Sequence, residues 1–126
     1  MKEPPYPCPC CGYLVFDGPP GSYALCPICD WEDDGVQLRF PDLAGGANGP
    51  SLIEAQRNFA AFGASDPRCP PARAPAPEDR RDPDWRPVDL WCDVLAHAEA
   101  GDRPAPWPDD PAHLYYWRDD FWQRAH

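Results

Sequence analysis

The chain predicts a small α+β metal-bound domain. Its expected parts are a zinc-ribbon or rubredoxin-like β-hairpin with knuckles and an amphipathic helix, followed by a Pro-rich linker and two C-terminal helices. Three observations predict it. Two Cys-x-x-Cys pairs, Cys8 with Cys11 and Cys26 with Cys29, are separated by the fourteen residues 12 to 25, a spacing that can bring four thiolates onto one tetrahedral ion. The run Ser51-Leu52-Ile53-Glu54 is a capping box that opens a segment with apolar residues at helical spacing. Past residue 68 the composition turns rich in proline and then in aromatic residues. These features divide the 126 residues into a cysteine-rich unit 1–68, a linker 69–87 and a helical extension 88–126.

Each knuckle carries its own punctuation. Pro9 and Pro27 follow the first cysteine of each pair and hold φ near about −65°, while Gly12 permits a left-handed turn, so that backbone amides can point at sulfur. Tyr13-Leu14-Val15-Phe16 is a short β-prone run, Asp17-Gly18-Pro19-Pro20-Gly21 is turn chemistry, and Ser22-Tyr23-Ala24-Leu25 leads into the second knuckle. The reading is a hairpin with strands at 13–16 and 22–25. One hairpin is marginal alone, so the metal supplies much of the stability of this half. After the last ligand, Val36 and Leu38 are expected on a third strand. The helix is expected over about Ser51 to Phe62, burying Leu52, Ala55, Phe59 and Phe62, with Gly63 as its stop.

Several ungapped motifs in this half carry a resemblance. Cys8-Pro9-Cys10-Cys11-Gly12-Tyr13, Pro20-Gly21-Ser22-Tyr23, Cys26-Pro27-Ile28-Cys29, Trp31-Glu32-Asp33-Asp34-Gly35-Val36-Gln37 and Gly45-Gly46-Ala47-Asn48 stand in order, ahead of the helix through Arg57-Asn58-Phe59. The segment from about 6 to 68 resembles the bacterial cysteine-rich CPCC family. The resemblance implies a small metal-binding domain with Cys8, Cys11, Cys26 and Cys29 as ligands. It implies no catalytic residues.

Beyond the helix, six prolines from Pro67 to Pro83 give the linker partial polyproline character. Val88, Trp91, Cys92 and Leu95 then form a helical stripe that ends before Gly101. Asp110-Pro111 is an N-cap and N1 pair for a second helix carrying Leu114, Trp117, Phe121 and Trp122. Neither helix can stand alone, so both need a surface to pack on.

Composition narrows the partners. The net charge of −10 divides equally, −5 in residues 1–63 and −5 in 64–126, so neither half offers a basic face. Nucleic-acid affinity rests on phosphate neutralisation by Lys and Arg, which argues against DNA or RNA and for a basic protein partner or a second copy of this chain. The N-terminus lacks an apolar run, so neither a signal peptide nor a membrane span is expected and the reading is cytoplasmic. One Lys against ten Arg suggests a GC-rich bacterial genome. Seven cysteines, an odd number, fit a metal site in a reducing compartment better than a disulfide framework.

Four thiolates close a coordination shell, which points to structural zinc, with iron as the alternative of the same ligand set. Cys10 is the spare thiol within the first knuckle and reads either as a reactive redox group or as a small packing residue; Cys69 and Cys92 read as incidental. His97, His113 and His126 lie on separate elements, and neither Gly-x-Ser-x-Gly nor His-Glu-x-x-His occurs. No catalytic set is assigned. The acidic run Glu32-Asp33-Asp34 reads as a recognition patch or second cation site, or as a solvated turn. With Trp117 and Trp122 it forms the expected interaction surface for an adaptor or immunity-type protein, unless those aromatics close an internal core.

Overall fold

A computed structural model describes residues 5–68, 73–90 and 107–122. Strand β1 (Tyr6–Pro7) pairs antiparallel with β2 (Leu14–Phe16), with Tyr6 opposite Phe16, Pro7 opposite Leu14 and a bulge between. The hairpin therefore wraps the first knuckle and does not join the two knuckles. Residues 22–25 are not a strand, apart from an isolated bridge between Leu25 and Glu32 that closes the second knuckle in the same way. Local closure explains the difference: Cys8 N–H donates to Tyr13 O at 2.9 Å and Cys26 N–H to Trp31 O at 2.8 Å, so each knuckle forms its own short return.

Helix α1 (Gly35–Arg39) stands where a third strand was expected. Asp34 decides this, because its Oδ1 accepts from Val36 N at 2.8 Å and Gln37 N at 3.3 Å and so caps a helical turn. Helix α2 (Leu52–Phe62) forms with the predicted reciprocal cap, Glu54 N to Ser51 Oγ and Ser51 N to Glu54 Oε1, both 3.2 Å, and ends on Gly63 at φ 78°. Its buried face is Leu52, Ala55 and Gln56, with Phe59 half-buried, while Phe62 turns to solvent. Between the helices, Gln37 and Asn48 hold the Gly45–Pro50 loop. Gln37 Nε2 donates to Leu43 O (3.0 Å), Asn48 O (3.1 Å) and Pro50 O (3.1 Å), and the Asn48 side chain bonds both backbone groups of Glu32 at 2.9 Å. Gly46 is required there, since a Cβ would fall 2.8 Å from Asp34 Oδ2 and from Gln37 Cδ.

Within the segment expected as an extended linker, Arg80 to Asp82 and Trp85 contact the first knuckle. Leu14 N–H donates to Arg80 O (2.8 Å) and Asp82 N–H to Gly12 O (2.9 Å), adding Arg80 to Asp82 along the free edge of β2. The helix expected from Val88 lies, from residue 91, outside the described residues, as do Cys69, Cys92, His97 and His126. Asp110 caps the next element as predicted, accepting from Ala112 N at 2.9 Å, but the element is a single 3-10 turn, Pro111–Leu114. The chain beyond it instead lays Tyr115, Tyr116, Trp117 and Phe121 into the core that holds the cysteines, Phe16, Ile28 and Trp31. Among the described residues no helix is long and apolar enough to cross a membrane.

Candidate metal centre

The two knuckles repeat one backbone pattern. Gly12 N–H donates to Cys8 O at 2.7 Å and Asp30 N–H to Cys26 O at 3.1 Å, and the residue after each second cysteine is left-handed, Gly12 at φ 82° and Asp30 at φ 70°. Asp tolerates that region better than most side-chain-bearing residues. Packed against each other, the turns bring Cys8, Cys11, Cys26 and Cys29 together, all buried, with their sulfurs within 4.8 Å of one another.

Two of those separations, Cys8 to Cys29 and Cys11 to Cys26, are 3.7 Å. A tetrahedral ion with metal–sulfur bonds of about 2.3 Å requires sulfurs about 3.8 Å apart, so the donor set fits. A disulfide needs about 2.05 Å, and all four cysteines are free. Backbone amides add to the case for negative sulfur: Ile28 N–H and Cys29 N–H both point at Cys26 Sγ at 3.4 Å. Burial pushes the Cys8 thiol well above its usual range. Cys26 is held far below it by hydrogen bonds from the Cys11 and Cys29 sulfurs. Binding a cation at these sulfurs requires the thiols to lose their protons, so metal affinity depends on pH.

The surroundings of the centre are supplied by distant parts of the chain. Trp85 lies across the first knuckle with Nε1 donating to Pro9 O at 2.9 Å, and Arg81 Nε donates to Cys11 O at 2.8 Å. Gln56 of α2 donates to the same Pro9 O (3.0 Å) and to Tyr116 Oη (2.8 Å), and accepts from Val88 N (2.9 Å). The sequence held a signal for Gln56 only as an out-of-place amide on an otherwise apolar helix face.

Cys10 is fully buried outside the ligand set, its thiol donating to Ala55 O at 3.3 Å and its acidity lowered by burial. Asp33 and Asp34 are neither a patch nor a solvated turn: they are 2% and 5% exposed. Asp33 Oδ2 accepts from Ser22 Oγ at 2.6 Å, and Asp34 Oδ2 accepts from Ala47 N at 3.0 Å in addition to capping α1. Only Glu32 of that run is partly exposed. Trp117 is buried with Nε1 on Asp82 Oδ2 at 3.0 Å, and Trp122 stacks on the Arg39 guanidinium, 4.7 Å from ring centre to Cζ, so both serve the interior.

A family model described as cysteine-rich CPCC matches residues 6–79. The chain belongs to the cysteine-rich CPCC family. The match runs past the helix and ends one residue before Arg80, whose carbonyl accepts from Leu14 N–H. No curated protein matches the chain.

Proposed function

We propose that Cys8, Cys11, Cys26 and Cys29 of this CPCC protein hold one zinc ion as a closed structural centre, and that the chain is a metal-stapled, acidic protein-binding module of the reducing cytoplasm. The observation that carries the metal reading is the buried set of four sulfurs within 4.8 Å of one another, two of whose separations, at 3.7 Å, match a tetrahedral ion. Four thiolates leave no coordination position for water or substrate, which is the design of a structural site. The net charge of −10 favours a basic partner, as an adaptor or an immunity-type inhibitor would require.

The competing reading, a thiol enzyme using Cys10, lacks support because a reactive thiol needs partial exposure and a stabilised thiolate, whereas Cys10 is fully buried and its thiol is made harder to ionise. Elemental analysis of the purified protein tests the metal. The expectation is about one equivalent of zinc, lost together with the fold in Cys26→Ser, since the four thiols lie at the centre of the core and would be left there without their ion. Folded protein with less than about half an equivalent of zinc plus iron would reject the site.

A further inference from the structure

Asp33, Asp34 and Trp117 are buried, so the exposed apolar surface of the described residues lies elsewhere. A groove of about 290 Å³ opens between the Pro20–Gly21 turn, the start of α1 and the 107–114 segment. Tyr23, Val36 and Trp107 line it and are 55%, 37% and 50% exposed, which makes it the place where three large apolar side chains of the described residues converge in solvent. Pro20, Pro108 and Pro111 add ring faces.

Two features show a groove that is held ready. Tyr23 sits at φ 60°, a left-handed conformation that a bulky side chain avoids, and the backbone keeps it there through Tyr23 N–H to Asp33 O at 3.0 Å and Asp33 N–H to Ala24 O at 2.9 Å. Trp107 is pinned from within by the Arg39 guanidinium, 4.5 Å from its ring centre. A Trp ring held in place and a backbone fixed in advance lose little entropy when covered. The rim is acidic: Asp109 and Asp110 stand exposed between the lining residues Pro108 and Pro111, and Asp109 makes no ion pair among the described residues.

We propose that this groove binds a short extended peptide segment of a protein partner, in which proline stands beside arginine or lysine. Aromatic and proline-lined grooves accept polyproline-type ligands because such chains are already extended, and their rings pack flat on Tyr and Trp. The neighbouring carboxylates select a cationic residue, in keeping with the overall charge. The volume holds one or two residues, so the contact is a weak one unless it is repeated along the partner. This proposal rests on the reading of the chain as an acidic binding module.

The test uses the full-length, metal-loaded protein and a fluorescein-labelled nonapeptide of three Pro-Pro-Arg repeats, with Gly-Ser-Arg and Pro-Pro-Glu repeats as controls, read by fluorescence anisotropy. Saturable binding below about 1 mM by the Pro-Pro-Arg peptide alone is expected. Tyr23→Ala and Trp107→Ala should each weaken it about tenfold or more, and Asp109→Lys should weaken it severalfold and flatten its salt dependence. Equal binding by Gly-Ser-Arg would reduce the effect to net charge and overturn the groove, as would no binding, or self-association that Trp107→Ala abolishes. Metal content and circular dichroism of each variant separate the outcomes. A folded, zinc-loaded protein that ignores the peptide defeats the groove alone, whereas a protein without metal defeats the centre beneath it.

Discussion

Gly12 is the position at which one methyl group should do the most harm. A Cβ built there falls 2.5 Å from Trp85 Cδ2 and 2.8 Å from Cε3 and Cγ, far inside van der Waals contact, on a residue at φ 82°. Gly12→Ala incurs about 1–2 kcal/mol for the left-handed backbone, partly offset by the smaller entropy of the unfolded chain. Moving the indole adds an overpacking cost of about 1–3 kcal/mol, and stretching Trp85 Nε1–H to Pro9 O at 2.9 Å adds about 1 kcal/mol. The expected loss is therefore about 3–5 kcal/mol, a large share of a small domain's stability. Guanidinium unfolding of the metal-loaded protein in buffered zinc measures it, since free metal concentration otherwise shifts the midpoint. Trp85→Ala supplies the control. In the double variant the steric cost disappears, so the two losses should fall short of additive by about 2 kcal/mol or more. The second knuckle sharpens the argument: Asp30 adopts φ 70° and still carries a side chain, so it is the Trp85 ring and not the turn alone that demands glycine. A Gly12→Ala protein within about 0.5 kcal/mol of the parent, or full additivity with Trp85→Ala, would refute this account of the knuckle.

Cys10→Ser should keep its full metal complement and shift stability by no more than about 2 kcal/mol, because it exchanges one buried hydrogen-bond donor to Ala55 O for another; loss of metal on elemental analysis would mean that the ligand set is wrong. Asp33 gives a pH signature. Burial raises its carboxyl from 3.8 to about 6, so the folded state holds a proton that the unfolded state has given up, and the stabilisation present below about pH 4 is lost as pH rises through 6. Relative to Asp33→Asn, the parent should therefore lose about 3 kcal/mol between pH 3 and 7, measured as a difference so that thiolate protonation cancels; a pH-independent difference, or one of opposite sign, would contradict the burial argument.

What the sequence made legible was local chemistry. The Ser51–Glu54 box, the Gly63 stop and the Asp110 cap each depend on residues within a few positions of one another, the two Cys pairs announce themselves by spacing, and each of these features appears as expected. The hairpin partner was not legible, because β1 is only Tyr6–Pro7 and two residues carry no alternation. Nor was the role of Arg80 to Asp82. Their pairing with Gly12 and Leu14 uses backbone groups alone, which a proline-rich composition conceals. Asp33 and Asp34 misled for a related reason. Carboxylates are ordinarily on the surface, and nothing near them in sequence announces that Ser22 and Ala47, eleven and thirteen residues away, will satisfy them. The aromatic tail had an apolar period that suited a helix, yet its side chains pack as well along an irregular strand of chain laid over the knuckles.

Those concealed contacts have a common cause. Each of the 20 prolines removes a backbone donor, and regular hydrogen-bonded elements occupy little of the described chain, so buried carbonyls and amides in the loops need partners that helices and sheets do not supply. Buried polar side chains take that part. Gln37 and Asn48 satisfy the loop after α1, and Asp82 gathers Trp117 Nε1 and Arg118 Nη2 at 3.0 and 2.9 Å. Gln56 joins the first knuckle to Val88 and to Tyr116 of the C-terminal segment. An amide of this kind is favourable only while all its partners are in place, because a buried group left unsatisfied costs about 1–3 kcal/mol. The knuckle that presents Pro9 O to Gln56 and Trp85 is itself shaped by ligands Cys8 and Cys11. If these four sulfurs hold a metal, its occupancy is thereby coupled to the order of chain more than a hundred residues from Cys8 in sequence, and loss of the ion should loosen Tyr116 together with the knuckles.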